Sequence, residues 1–97
     1  MLVTGRDTAE EFAQKHATTR RAVDSMLKTL EGCEAKNPVD LKNTFRSADY
    51  YKKHAILNIG KGDRAIIKIN YEKKIAAIKA FLTHDEYTRG DWKKKLV

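Results

Sequence analysis

A chain of 97 residues, 41% hydrophobic and 34% charged, can bury one modest core and is too short for two domains of about 100–200 residues each. Twenty Lys and Arg against thirteen Asp and Glu give a formal charge of +7, which points to a polyanion as partner. The single cysteine, Cys33, excludes an internal disulfide, no Cys/His cluster offers a structural zinc site, and no apolar run approaches the roughly 18 residues of a membrane span.

Leu2-Val3-Thr4 reads as a short extended segment closed by Gly5. Asp7 or Thr8 is the expected cap of a first helix, with Glu10 and Glu11 in its opening turn and an end near His16 to Thr18. Thr18 or Thr19 is the expected cap of a second. Its apolar residues Ala22, Val23, Met26, Leu27 and Leu30 recur at 3.6 spacing, and Gly32 with Asn37-Pro38 brackets its end. The two helices form an αα-hairpin. Between Pro38 and Tyr51 the pattern weakens, and Val39, Leu41 and Phe45 pin a loop or short helical turn to the core.

The remainder reads as β structure. His54–Ile59 is a strand, Gly60-Lys61-Gly62-Asp63 a turn, and Arg64–Tyr71 a second strand. Alternation places Ala65, Ile67, Ile69 and Tyr71 on one face and Arg64, Ile66, Lys68 and Asn70 on the other. Glu72-Lys73 is a two-residue connection, Lys74–Leu82 a third strand, and a charged tail runs to Lys93-Lys94-Lys95-Leu96-Val97. The expected fold is α+β in the order β-α-α-β-β-β: a small antiparallel sheet with the helix pair on one face, a short C-terminal helix or tail, and one domain over 1–97.

Charge is unevenly spread. Residues 1–53 carry ten basic and eight acidic side chains, whereas residues 54–97 carry ten and five, so the β-rich half is the candidate polyanion surface. Arg64, opening its strand after a glycine turn, can grip a phosphate with two N–H groups or neutralise charge growing at phosphorus. It can equally be a solvated strand-end arginine. His84 can exchange a proton near neutral pH, with Tyr87 beside it to stack or donate, while Thr83-His84-Asp85-Glu86 also fits a capping box. His16 at a helix end and His54 at a strand start read as structural. Lys52, Lys53, Lys73, Lys74, Lys79 and Lys93–Lys95 read mainly as solvated surface that collectively attracts a phosphate backbone. Tyr50 and Tyr51 add aromatic surface, Trp92 packs the tail onto the core, and Cys33 is inert among apolar neighbours.

Leu57-Asn58-Ile59-Gly60 through Arg64, Ile66–Tyr71, and above all Thr83-His84-Asp85-Glu86-Tyr87 after the last strand resemble the HigB-type toxins of bacterial toxin–antitoxin pairs, a branch of the RelE-like mRNA interferases. Leu2-Val3, Gly5-Arg6 and Pro38–Lys42 extend the resemblance over nearly the whole chain. The chain departs from the family pattern at Leu82, where glycine is frequent, and at Asp63 and Ala65, where an aromatic and a leucine flank the arginine.

The resemblance implies an endoribonuclease that cuts mRNA in the ribosomal decoding site, against 16S rRNA, by 2′-hydroxyl attack without metal or other cofactor. It also implies a bacterial cytoplasmic protein silenced by a HigA-type helix-turn-helix antitoxin, with a higher-order complex on operator DNA. The absence of a basic-then-hydrophobic opening over residues 1–7 agrees with that location. On this reading Arg64, His84 and Tyr87 are catalytic, and Lys52, Lys53, Lys68, Asn70 and Lys79 bind RNA or the ribosome. A non-catalytic RNA-binding module, or an interaction protein docking an acidic partner, would use the same basic surface.

Overall fold

The computed structural model describes residues 1–95; Leu96 and Val97, at the end of the expected charged tail, lie outside the described residues. The elements run β1 (Leu2–Thr4), α1 (Arg6–Lys15), a 3₁₀ turn (Ala17–Thr19), α2 (Arg20–Glu31), α3 (Pro38–Thr44), β2 (Asp49–Tyr51), β3 (His54–Ile59), β4 (Asp63–Asn70), β5 (Ile75–Leu82), α4 (His84–Arg89) and a closing 3₁₀ turn (Asp91–Lys94). One five-stranded sheet has the order β1-β5-β4-β3-β2. Its last four strands pair antiparallel, and β1 lies parallel to β5 at the edge, so the α+β fold carries a mixed sheet.

Three local expectations are corrected. Neither Asp7 nor Thr8 caps α1: the cap is Gly5, at φ 81, without a side-chain bond. A left-handed residue lets the chain turn from β1 directly into the helix, and a Cβ there would meet the carbonyl oxygen of Ile78 at 2.7 Å. The connection before β5 is the four-residue turn 71–74, because Lys74 takes φ 58 and so cannot begin a strand. A further strand, β2, precedes β3; three residues are too few for alternation to register.

The helix layer covers the face chosen by alternation. Phe12 from α1, Val23, Met26 and Leu30 from α2 and Leu41 from α3 pack on Ala55, Leu57, Ala65, Ile67 and Ile78 of the sheet. Phe12 stacks on Phe81 with ring centroids 5.3 Å apart. Each fully buried aliphatic chain here, such as Leu30 or Leu57, stabilises the fold by about 1.5–3 kcal/mol of transfer free energy. Thr19 precedes α2 as its cap residue, but its hydroxyl donates to His16 O rather than accepting from the helix.

The opposite face is only partly open. Arg64, Lys68 and Asn70 do lie on it, yet Ile56, Ile66, Leu82 and Trp92 form a second apolar cluster there, bordered by Tyr51, Ala80 and Tyr87. The chain after β5 folds back over the sheet to build it. Thr83 starts α4 with the expected capping box: its hydroxyl accepts from Glu86 N at 3.3 Å, and the Glu86 carboxylate accepts from Thr83 N at 2.9 Å. Trp92 then lands on the sheet, 7% exposed, and its indole N–H donates to Tyr87 O at 3.0 Å.

Trp92→Ala is expected to cost about 3 kcal/mol, the low end for a buried tryptophan, read as a lower denaturant midpoint by circular dichroism. An unchanged midpoint would mean that the C-terminal segment is not anchored by the indole. The backbone N–H of Thr83 holds the Glu86 carboxyl below the usual carboxylate range. A carboxyl with a lower pKa folded than unfolded adds stability that is present above about pH 4.3 and lost as pH falls through the folded value. Glu86→Gln should therefore flatten the acid limb of the stability curve, measured as the difference in urea midpoint between about pH 6 and about pH 3.

Candidate active site

Arg64 is the second residue of β4, paired across the sheet with Asn58 of β3 and Leu82 of β5. Directly opposite residues share a face, so Asn58 stands beside the guanidinium on the outer surface. Arg64 Nη1 donates to Asn58 Oδ1 at 2.8 Å and to Asp63 O at 3.2 Å. The guanidinium carbon sits 4.8 Å from the centroid of the Tyr87 ring. Both hydrogens of Nη1 are thus engaged, and the Nε/Nη2 edge makes no hydrogen bond among the described residues. That edge is the fork geometry that grips a phosphate with two parallel bonds.

Tyr87 is itself immobilised. Its ring stacks on Trp92 at 5.4 Å with planes 13° apart, and Trp92 meets Tyr51 edge-on at 5.4 Å. Arg64, Tyr87, Trp92 and Tyr51 therefore form one continuous stack across the outer face, from β4 to the far edge strand. Lys93 Nζ and Lys52 Nζ lie 5.4 and 5.6 Å from the Tyr51 centroid. The two ion pairs among the described residues, Arg6–Glu31 and Arg20–Glu10, belong to the helix layer. The cations of the outer face have no such partner there, and their field stays directed at solvent.

His84 is the first residue of α4, exposed, with its imidazole against Gly62 in the turn that leads into β4. Arg64, Tyr87 and His84 thus converge on one end of the sheet. The remaining candidates spread away from it. Lys52 and Lys53 form the tip of the β2–β3 hairpin, both left-handed at φ 46 and 67. Lys68 is exposed on β4 between His54 and Ala77, four residues or about 13 Å along the strand from Arg64. Asn70 spends its carbonyl oxygen on Lys73 N at 2.9 Å, which shapes the β4–β5 turn. Lys79 is the extra residue of a bulge in β5, between the pairs Ile66–Ala80 and Ile67–Ile78. It lines a cleft of about 540 Å³ with Arg89 and Lys95.

His16 and His54 take structural places. His16 ends α1 with its ring 4.5 Å from Phe12, and His54, buried, sits with Nδ1 2.9 Å from Lys52 O. Cys33 is buried in the main core. Asn58 has no role in the sequence reading, and Tyr51 and Lys93 enter it only as aromatic and basic surface, not as part of the site. The register across the glycine turn would have found Asn58, because pairing Ile59 with Asp63 forces Asn58 opposite Arg64. Nothing local shows that Tyr51 and Lys93 meet, which they do through the fold-back of the tail.

Among the described residues no group of three or more His, Cys, Asp or Glu side chains can hold a metal ion, and no helix is long and apolar enough to cross a membrane. A search of curated proteins finds no match. A family model does match: residues 19–90, from the cap of α2 to the glycine that ends α4, fit the model of HigB_toxin, described as a RelE-like toxic component of a toxin–antitoxin system. That span covers most of the chain and every residue of the Arg64–His84–Tyr87 group, and the chain belongs to the HigB family of RelE-like toxins.

Proposed function

We propose that this toxin is a ribosome-dependent endoribonuclease that cleaves mRNA, with Arg64, His84 and Tyr87 at the scissile phosphate. The observation that carries the reading is the tethering of Arg64. Asn58, the Asp63 carbonyl and the Tyr87 ring hold the guanidinium while its Nε/Nη2 edge stays available. A cation preorganised at developing charge is worth more than one that must be ordered during the reaction. In the reaction the ribose 2′-hydroxyl loses its proton to a base and attacks the adjacent phosphorus. The P–O5′ bond breaks, and an acid returns a proton to the leaving oxygen. One fragment ends in a 2′,3′-cyclic phosphate and the other begins with a 5′-hydroxyl. Arg64 offsets the charge on the phosphorane, His84 exchanges a proton, and Tyr87 orients the arginine and stacks against a base.

One imidazole and one guanidinium are a sparse set, so the decoding site, with its 16S rRNA, is assigned the task of ordering the message. Lys52, Lys53, Lys68 and Lys79 then bind its phosphates or those of the ribosome, and Asn70 shapes the turn beside them. A toxin of this family works against an antitoxin partner; a HigA-type helix-turn-helix protein is the proposed one, with joint binding to operator DNA and residence in the bacterial cytoplasm.

The hairpin tip supports a binding role. A two-residue connection with both φ positive favours Asn-Gly, yet here it holds Lys52 and Lys53. Each left-handed lysine costs about 1 kcal/mol, which the sequence retains where two exposed ammonium groups sit at the tip of an edge hairpin.

In a translation mixture, His84→Ala is expected to lower mRNA cleavage by about 10²–10⁴-fold, read by primer extension, with a melting curve close to the parent. RNA bound but left intact by the parent protein would instead establish a non-catalytic binding module. Replacing the hairpin tip by Lys52→Asn with Lys53→Gly should raise stability by about 1 kcal/mol while weakening RNA binding. The slope of log affinity against log salt should become shallower by about 1.4, two charges at about 0.7 each on single-stranded RNA. An unchanged slope would remove both lysines from the interface.

A further inference from the structure

The turn between β3 and β4 approaches His84 at Gly62. Gly62 adopts φ +109, a conformation that side chains rarely take, and the space a side chain would fill there is occupied by His84. A Cβ on Gly62 would stand 2.9 Å from His84 Nδ1 and 3.2 Å from both His84 Cβ and Cγ. Rotating the ring about the Cβ–Cγ bond relieves the first contact and leaves the other two, so a methyl group there moves the whole side chain or the start of α4. His84 is otherwise exposed at a helix N-terminus, and its own side chain makes no hydrogen bond among the described residues. Its placement comes from below, by contact with backbone that has no side chain.

Two residues on, the same strand delivers Arg64, whose pairing partners are Asn58 and Leu82. Thr83, which caps α4, follows Leu82 directly. Arg64 and His84 are therefore linked through the Arg64–Leu82 pair and Thr83 on one side and through Asp63 and Gly62 on the other.

We propose that Gly62 is a positioning residue for RNA cleavage: its missing side chain and left-handed backbone set the distance of the His84 imidazole from the Arg64 guanidinium. This rests on the assignment of His84 to proton transfer. Gly60, in the same turn, supplies the control. It also has positive φ, +62, but a Cβ there would meet only Ala22 Cβ and Thr19 Cγ2, at an ordinary 3.8 Å. An alanine at either glycine thus strains the turn, and only the one at Gly62 collides with the imidazole.

The test compares Gly60→Ala, Gly62→Ala, His84→Ala and the Gly62→Ala/His84→Ala double variant of the full chain. Single-turnover mRNA cleavage on ribosomes, toxin affinity for those ribosomes and melting temperature are measured for each. Gly62→Ala is expected to slow cleavage by about 10- to 100-fold with affinity within about twofold, as a displacement of about 1 Å at a reacting group does. Gly60→Ala should lower the melting temperature and keep the cleavage rate within about threefold of the parent. In the His84→Ala background, Gly62→Ala should change the residual rate by less than about twofold and lower the melting temperature less than it does with the imidazole present. If Gly62→Ala alone does not fold, the double variant should fold, because the contacts with Nδ1 and Cγ are gone and the one with the His84 Cβ, at 3.2 Å, needs a shift of only a few tenths of an ångström. Equal loss of cleavage at Gly60 and Gly62, the same cost of Gly62→Ala in both His84 backgrounds, or a double variant that also fails to fold overturns the positioning role. Parental cleavage by His84→Ala would overturn the assignment of His84 itself, an outcome read from that single variant alone.

Discussion

The site depends on the stacking of Tyr87 between Arg64 and Trp92. A guanidinium at the start of a strand ordinarily samples many rotamers and loses about 2 kcal/mol of side-chain entropy when it is ordered. Here the ordering is done in the free protein. Trp92 is buried on the outer face of the sheet, its indole N–H holds the Tyr87 carbonyl, its ring plane supports the Tyr87 ring, and the phenol face then carries the arginine. Asn58 fixes the remaining freedom from the other side. Each of these contacts is worth about 1 kcal/mol taken singly. Their value is collective, since together they hold the guanidinium and leave its Nε/Nη2 edge without a hydrogen bond among the described residues.

The same arrangement explains why an antiparallel sheet with a basic outer face needs a second apolar cluster. Ile56, Ile66 and Leu82 lie on that face between the cations, and without cover they would expose a hydrophobic patch in the middle of a charged surface. The fold-back through α4 removes the patch and delivers Tyr87 and His84 in one move. Leu82 belongs to that cluster with Trp92, and it also stands directly opposite Arg64 in the β4–β5 pairing, so its side chain lines the sheet beside the guanidinium.

Much of the fold was legible because it follows from periodicity. The 3.6 spacing from Ala22 to Leu30 gave α2, and alternation from Arg64 to Tyr71 gave β4 with its residues sorted to the two correct faces, although the outer one carries the fully buried Ile66. The segments that escaped are those whose conformation is set by distant partners. β2 is three residues long and joined to β3 by Lys-Lys, where the usual hairpin signal is Asn-Gly. The start of α1 was misplaced because the acids at Asp7 and Glu10 mark a cap by composition, whereas the close approach of Gly5 to Ile78 sets it by space. In the site, Arg64, His84 and Tyr87 were visible as residue types in a family pattern. The contacts of Asn58, Tyr51 and Lys93 were not, since each is created only by the register or the fold-back.

That difference has a physical root in how the two halves of the site are held. Arg64 is held by attractive contacts, each made by a side chain whose chemistry can be read from its letter: an amide, a phenol, an indole. His84 is held by an absence of atoms, the missing Cβ of Gly62, and by a backbone angle that glycine alone adopts without strain. A sequence advertises the first kind of constraint and conceals the second, because a glycine in a turn is explained by the turn. The left-handed angle at Gly60 needs no further account than reversal of the chain; the angle at Gly62 coincides with a place where a Cβ would stand 2.9 Å from His84 Nδ1. Where a turn glycine is in contact with a titratable group, the steric requirement and the chemical one act on the same atom.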